Sequence, residues 1–168
     1  IEELQQTLIA DDCYLPWVRQ RYTALTLKAD LSASRGNSSP VRDGLNRPVD
    51  DVGHRWPCHK GDYLTYRFDG ERAIEQVTLV LDSALDKNVA MSYHQHDDQL
   101  IHVPDVMPKT FRIEILGSDG AWHTLHRVQN NYQRLVRVPV GRATAGVRFV
   151  LEETWGSETT HIYAFYMS

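Results

Sequence analysis

Residues 63–81 read YLTYRFDGERAIEQVTLVL, and this stretch determines the fold class. Large apolar side chains alternate with other residues in Leu64–Phe68 and again in Val77–Leu81. A period of two is typical of a β-strand that buries one face. Between the two runs, Asp69-Gly70 has the chemistry of a tight turn, because glycine accepts a positive φ at little cost. The stretch therefore predicts two consecutive antiparallel strands.

The same alternation recurs through most of the chain. It is found at Leu25–Leu31, Phe111–Ile115, Val136–Val140 and Val147–Leu151, and further strands are expected at Trp122–Val128 and His161–Tyr166. Eight short strands with no helical pattern between them predict an all-β, antiparallel sandwich.

The connections between these strands are of two kinds that alternate along the chain. Asp69–Arg72, Ser118–Gly120 and Gly141–Thr144 are short, whereas Ala33–Gly61, Ser83–Lys109, Gln129–Gln133 and Glu153–Thr160 are longer and chemically richer. If successive strands are antiparallel, all short connections lie at one end of the sandwich and all rich loops at the other. The rich-loop end is the expected place for binding residues.

The start of the chain has a different pattern. Ile1, Leu4 and Leu8 recur at helical spacing, and Pro16 prevents the helix from continuing. We expect residues 1–22 to be a helical connector from an upstream domain, and residues 23–168 to be the sandwich domain. Cys13 and Cys58 could pair, although two reduced thiols are the favoured interpretation.

Composition argues against two classes of function. The formal net charge of -4 leaves no excess of cations for binding nucleic acid. No apolar run approaches the roughly 18 residues of a membrane span, and the first residues do not resemble a signal peptide. The compartment is not determined by these features.

Three segments together resemble the discoidin-like, galactose-binding superfamily. They are Arg42-Asp43-Gly44, His54-Arg55-Trp56 and Gly61-Asp62-Tyr63-Leu64. The resemblance extends from about Leu25 to the end and implies a jelly-roll sandwich. Such domains often hold a structural calcium, and Asp43 matches one of its ligands. The matching glutamate in the last strand is replaced by Ala164, which argues against that calcium.

A narrower resemblance concerns bacterial FAD-dependent oxidoreductases. Leu4–Gln6 and Asp11–Pro16 are similar to the segment after the flavin domain, and Asn131–Arg134 and Glu152–Gly156 are similar to the C-terminal domain. This implies a bacterial protein whose upstream flavin domain is the partner and binds FAD. The chain itself has no Gly-x-Gly-x-x-Gly after a strand, so no cofactor is expected within it.

Six residues are candidates for ligand binding: Arg42, His54, Arg55, Trp56, Tyr132 and Trp155. An aromatic ring that packs on a pyranose and planar polar groups that bind hydroxyls make a sugar site. For Trp56 the favoured interpretation is a core residue instead. For Trp155 both interpretations stay open. Tyr132 and Arg134 also fit a turn followed by a strand.

Two further motifs suggest chemistry. His94 and His96 are separated by one residue and precede Asp97, and imidazole and carboxylate are metal ligands. Third and fourth ligands are not evident, so we predict a surface loop rather than a metal centre. Glu152 and Glu153 are adjacent. In a regular strand they face opposite ways, which argues against a glycosidase pair.

Two functions therefore remain. The first is a non-catalytic accessory module of a flavin enzyme, which packs on the enzyme or presents a ligand to it. The second is an independent carbohydrate-binding module that uses the rich-loop end. The sequence does not decide between them, because one fold serves both uses.

Overall fold

The computed structural model of the chain describes residues 19–49, 52–85, 87 and 102–168. One short helix, α1, one 3-10 turn and seven strands make up this part of the chain. They are α1 (Ala24–Lys28), β1 (Asp30–Ala33), the 3-10 turn (Ser39–Arg42), β2 (Trp56–His59), β3 (Tyr63–Leu81), β4 (Pro108–Leu116), β5 (Trp122–Val128), β6 (Leu135–Thr154) and β7 (Thr159–Met167).

The long strand β3 belongs to both layers of a sandwich. The ring of Tyr66, near the start of β3, lies 5.0 Å from that of Phe165, which pairs with Leu79 near its end. A straight strand would separate Tyr66 from Leu79 by roughly 43 Å at about 3.3 Å per residue. The strand therefore folds back on itself, and the break in register between Arg67 and Arg72 marks the corner.

Because β6 pairs with β3 along both halves, it turns the same corner. The resulting order is β2-β7-β3-β6-β4-β5, with β1 on the outer edge of the first half of β3. One layer contains β1, the first half of β3, the second half of β6, β4 and β5. The other contains the first half of β6, the second half of β3, β7 and β2. This arrangement confirms the predicted antiparallel β-sandwich.

The core lies between the two layers and is made by the predicted alternating positions. Most of the alternating apolar side chains of β3, β4, β6 and β7 form one buried cluster, and Val80, Tyr163 and Ala164 form a second, smaller one. Rings from the two layers meet in the larger cluster: Phe149 lies 5.5 Å from Phe111 and 6.4 Å from Phe165. Alternation therefore identified the buried faces correctly.

The first predicted strand is partly wrong. Ala24–Lys28 forms helix α1, and only Asp30–Ala33 is a strand. The hydroxyl of Thr23 accepts a hydrogen bond from the Thr26 backbone, which caps the helix, and both threonine hydroxyls donate to the carbonyl of Met167. These tertiary bonds override the strand-like alternation of the segment.

Only one of the three short connections is an ordinary hairpin turn. Ser118–Gly120 joins β4 to β5, closed by a 2.8 Å hydrogen bond from Gly117 N to Ala121 O. Asp69–Arg72 and Gly141–Thr144, by contrast, are corners within the continuous strands β3 and β6. The two corners join four of the eight predicted strands into two, and β2 (Trp56–His59) is a strand that was not predicted, so this part of the chain has seven strands.

The separation into two ends is nevertheless confirmed. The Thr144 hydroxyl donates to Leu116 O at 3.0 Å, which places the β6 corner beside the β4–β5 turn. At the opposite end the rich loops bond to one another: Asn131 N donates to Lys109 O, and Trp155 N donates to Met107 O.

Several predictions concern residues outside the described part of the chain, including the helix around Ile1, Leu4 and Leu8 and the position of Cys13. Residues 19–22, which end the predicted connector, are described, and the ring of Tyr22 lies 4.7 Å from that of Tyr166 in β7. Cys58 is buried and forms no disulfide with any described residue. Within the described residues, no helix has the length and apolarity needed to cross a membrane.

Candidate functional site

The Arg42 side chain bonds to backbone carbonyls at the end of α1. Its Nη1 donates to the carbonyls of Ala29 at 2.8 Å and Thr26 at 3.1 Å, at the end of α1. The guanidinium also lies 6.0 Å from the centre of the Tyr66 ring. These contacts use the cation to satisfy helix-end carbonyls, which gives Arg42 a structural role.

Asp43 and His54 form a second structural pair. The Asp43 carboxylate accepts from Leu45 N at 2.8 Å through one oxygen, and its other oxygen lies 2.6 Å from His54 Nδ1. His54 adopts a left-handed φ of 45°. Both carboxylate oxygens of Asp43 are therefore engaged within the loop. Among the residues described, no three His, Cys, Asp or Glu side chains form a cluster that could hold a metal.

Trp56 is a core residue, as favoured from the sequence. Its side chain is 0% exposed, and its Nε1 donates to Arg35 O at 2.8 Å. It therefore fills the core at the rich-loop end of the sandwich, where β2 pairs with the start of β7. A ligand outside the sandwich cannot reach this ring.

Arg55 belongs to a polar group on the outer side of the second layer. Its Nη1 donates to the Tyr163 hydroxyl at 3.2 Å, and the guanidinium of Arg134 lies 4.6 Å from the Tyr163 ring centre. Asp82 and His161 pair nearby, with 2.7 Å between Oδ2 and Nδ1. Burial raises the pKa of Asp82, but hydrogen bonds from His161 and the Ala84 backbone outweigh burial and leave that pKa below its usual value.

Tyr132 and Trp155 lie together on what we call the rim, which consists of Lys109, Tyr132 and Trp155. The Trp155 Nε1 donates to Asn131 O at 2.6 Å, and the Lys109 ammonium lies 5.3 Å from the centre of the indole. Tyr132 is 73% exposed. The rim therefore presents one exposed ring beside a second ring held by hydrogen bonding.

The loop that carries Tyr132 is held by one buried amide. The Asn131 side chain donates to Pro108 O and Gln133 O, both at 3.0 Å, and accepts from Gln133 N at 3.1 Å. Asn130 adopts a left-handed φ of 52°, consistent with the predicted turn. These bonds fix the backbone on both sides of Tyr132.

Beside the rim, an open cavity of about 470 Å³ lies on the outer face of the first layer. We call it the cavity; its charged lining residues are Lys60, Arg112, Arg127, Glu152 and Glu153. Glu153 connects the cavity to the rim. Its carboxylate accepts from the Thr110 hydroxyl at 3.4 Å in the cavity and pairs with Lys109 of the rim at 3.1 Å.

The cavity corrects the prediction for Glu152 and Glu153. Thr110 pairs with Glu153 and Phe111 with Leu151, so Glu152 is an extra residue that has no partner on β4. Such a bulge changes the direction of the side chains that follow it. As a result both carboxylates line the same cavity instead of facing opposite ways.

Both carboxylates are neutralised by cations. Glu152 accepts from Arg112 Nη1 at 2.9 Å and from Arg127 Nε at 2.7 Å. Burial raises the pKa of Glu152, but these bonds outweigh it and hold the pKa below its usual value. Bonds to Glu114 and Glu152 raise the pKa of Arg112. An ionised acid paired in this way does not supply the proton that a glycosidase acid needs.

The sequence interpretation missed most of the cavity. Lys60, Arg112 and Arg127 were not singled out, although Arg112 falls on the outward positions of its strand and an alternation count could have identified it. His94 and His96 lie outside the described residues, and their surface-loop prediction stays a prediction.

The fold was compared with known proteins. No family model matches the chain, and no curated protein sequence matches it. Solved structures do: the family 32 carbohydrate-binding module from Streptococcus pneumoniae EndoD has a TM-score of 0.59 at 11% identity, covering 83% of this chain and 94% of that one.

Two further structures have the same fold. Chitosan-binding module 1 from a chitosanase/glucanase of Paenibacillus sp. IK-5 has a TM-score of 0.59 at 14% identity, with 88% of this chain and 99% of that one covered. The family 32 module of C. perfringens NanJ, solved with galactose, has a TM-score of 0.56 at 9% identity, with 84% and 93% covered. At these identities the likeness shows the fold alone: the chain is a β-sandwich of the galactose-binding-like type.

Proposed function

We propose that this chain is a carbohydrate-binding module whose ligand lies across the rim and the cavity. The observation that carries the proposal is the exposed Tyr132 ring on a loop held by buried Asn131. A rigid aromatic side chain exposed to solvent is a platform for the apolar face of a pyranose. Polar groups in the neighbouring cavity are placed to contact the hydroxyls.

Two considerations support this surface over the candidates in the first long loop. Arg42 and His54 contact other parts of the loop and α1, and the Trp56 ring is fully buried, which supports a site elsewhere. The solved structures of the same fold include a chitosan-binding module and a module with bound galactose. Sugar binding is therefore an established use of this architecture in other proteins.

The test is a calorimetric titration of the domain against a panel of mono- and oligosaccharides, with Tyr132→Ala and Trp155→Ala variants. Tyr132→Phe keeps the ring and is expected to keep the affinity. Leu27→Ala removes an exposed apolar side chain from α1, away from the rim, and is the matched control. Saturable binding that is weakened in Tyr132→Ala and Trp155→Ala and retained in Tyr132→Phe and Leu27→Ala is the expected result. No binding to any sugar overturns the proposal.

We also propose the narrower function, an accessory domain of an FAD-dependent oxidoreductase. This proposal rests on the resemblance of Asn131–Arg134 and Glu152–Gly156 to the C-terminal domain of those enzymes; the two segments are neighbours in the fold, joined by the bond from Trp155 Nε1 to Asn131 O. In such an enzyme the rim would present a sugar to the flavin domain, which residues 1–22 would connect to the sandwich.

This narrower function is tested on the full-length product of the gene. A flavin absorbance spectrum in the purified protein, with weaker sugar oxidation in Tyr132→Ala than in Leu27→Ala, is expected. A full-length protein that contains no flavin-binding domain refutes the link and leaves sugar binding unaffected.

A further inference from the structure

We infer that the saccharide bound at the cavity is anionic and carries carboxylate or sulfate groups; this inference rests on the proposed function. The cavity and rim contain four cations, Lys60, Lys109, Arg112 and Arg127, against the carboxylates of Glu152 and Glu153 and that of Glu114, which also pairs with Arg112. The whole chain has a net charge of -4. The cations are therefore concentrated locally against the overall charge of the protein, a pattern that attracts an anion.

The hydrogen-bonding groups left for a ligand are donors. Glu152 is occupied by Arg112 and Arg127, and Glu153 is occupied by Lys109 and Thr110. The carboxylates are thus poorly placed to accept from sugar hydroxyls. Arg112 Nη2 and Arg127 Nη1, by contrast, hydrogen-bond to none of the residues that the structure describes. A ligand with charged acceptor oxygens complements these donors better than a neutral one.

Lys60 is the most accessible of these cations. It is exposed on the cavity wall and forms no ion pair or hydrogen bond with the described part of the chain. Glu152, meanwhile, holds both arginine side chains in place, so binding an anion does not require them to be ordered first. Such preorganisation lowers the cost of binding.

The cationic surface continues along the outer face of the first layer. Arg148 precedes Glu152 by four residues on β6, which places it roughly 13 Å away along the strand. Its guanidinium lies 3.6 Å from the Glu114 carboxylate and 4.0 Å from the centre of the Trp122 ring. Arg67 lies on the same ring at 5.5 Å. The surface is therefore long enough for several residues of an acidic polysaccharide, with an aromatic ring at its far end.

The test compares matched anionic and neutral ligands: oligogalacturonate with its methyl ester, oligomannuronate with mannan oligosaccharides, and a sulfated galactan with galactan. Affinities of the wild-type domain, Lys60→Gln and Arg127→Gln are measured by calorimetry. Lys28→Gln removes the same charge from an exposed position in α1 and is the control. Circular dichroism checks that each variant is folded.

We expect at least one anionic ligand to bind more tightly than its neutral counterpart, with about tenfold weaker binding in Lys60→Gln and Arg127→Gln and none of this loss in Lys28→Gln. Raising the salt concentration to about 0.5 M should weaken the same interaction. Tighter binding of the neutral members, or anion binding that is unchanged in both cavity variants, overturns the inference and leaves the proposed function standing. If no ligand of either kind binds, the proposed function itself fails.

Discussion

Arg42→Met tests whether Arg42 is a structural cation instead of a ligand-binding residue. The substitution keeps much of the aliphatic stem and removes the donors to Thr26 O and Ala29 O, at 3.1 and 2.8 Å. A hydrogen bond from a charged donor contributes about 1.5–3 kcal/mol. Because Arg42 is only half-buried, we take the lower end of that range, about 1.5 kcal/mol, for each of the two bonds and expect a loss of about 3 kcal/mol in the free energy of unfolding. For a domain of this size the melting temperature then falls by about 6–12 °C.

The assay is urea unfolding followed by Trp fluorescence, with thermal melts as a second measurement. Arg72→Met is the matched control: its partner Asp69 is largely exposed, and such a pair contributes less than about 1 kcal/mol. The folded Arg42→Met domain should keep its sugar affinity. A free energy of unfolding within about 0.5 kcal/mol of wild type would refute the structural role, and weaker sugar binding with unchanged stability would restore Arg42 as a binding residue.

Three other predictions follow from buried groups. Burial raises the pKa of the Cys58 thiol, so in a Cys13→Ser background a thiol reagent should react at neutral pH only after denaturant is added. The pKa of Asp82 is lowered, so ionised Asp82 stabilises the fold above the ordinary aspartate pKa of about 3.9, and this stability is lost as the pH falls through the lowered pKa. Urea titrations from pH 6 to about pH 2.5 should therefore show a smaller loss of stability with acid in Asp82→Asn than in wild type. Trp56→Ala should cost about 3–5 kcal/mol, measured by urea unfolding, because it empties a fully buried site; a cost below about 1 kcal/mol contradicts the core assignment.

The fold was predictable because it depends on a repeated local signal. Each buried face repeats every second residue, so alternation at Leu64–Phe68 and Val147–Leu151 identified the strands and their inward sides. It could not show that β3 and β6 continue through their corners, since Asp69-Gly70 has the same turn chemistry whether the chain ends a strand or bends one. Only the pairing with the neighbouring strand makes that distinction.

Alternation failed at Leu25 and Leu27 for a different reason. Thr23 and Thr26 both donate to Met167 O, a residue more than a hundred positions later in the chain. Arg42 then supplies donors to the carbonyls where α1 ends. Long-range bonds of this kind leave no trace in a short window of sequence, although they decide the local conformation.

The candidate site depends on such an irregularity more directly. Glu152 and Glu153 would lie on opposite faces of a regular strand, and that geometry was a sound reason to reject a paired site. The pairing of β4 with β6 skips Lys109 on one strand and Glu152 on the other, which brings Glu153 to Lys109 and both carboxylates to one cavity. A bulge is defined by the partner strand, so the composition of Glu152–Gly156 cannot reveal it. The binding chemistry proposed for this chain therefore arises where the periodic pattern that builds the sandwich is interrupted.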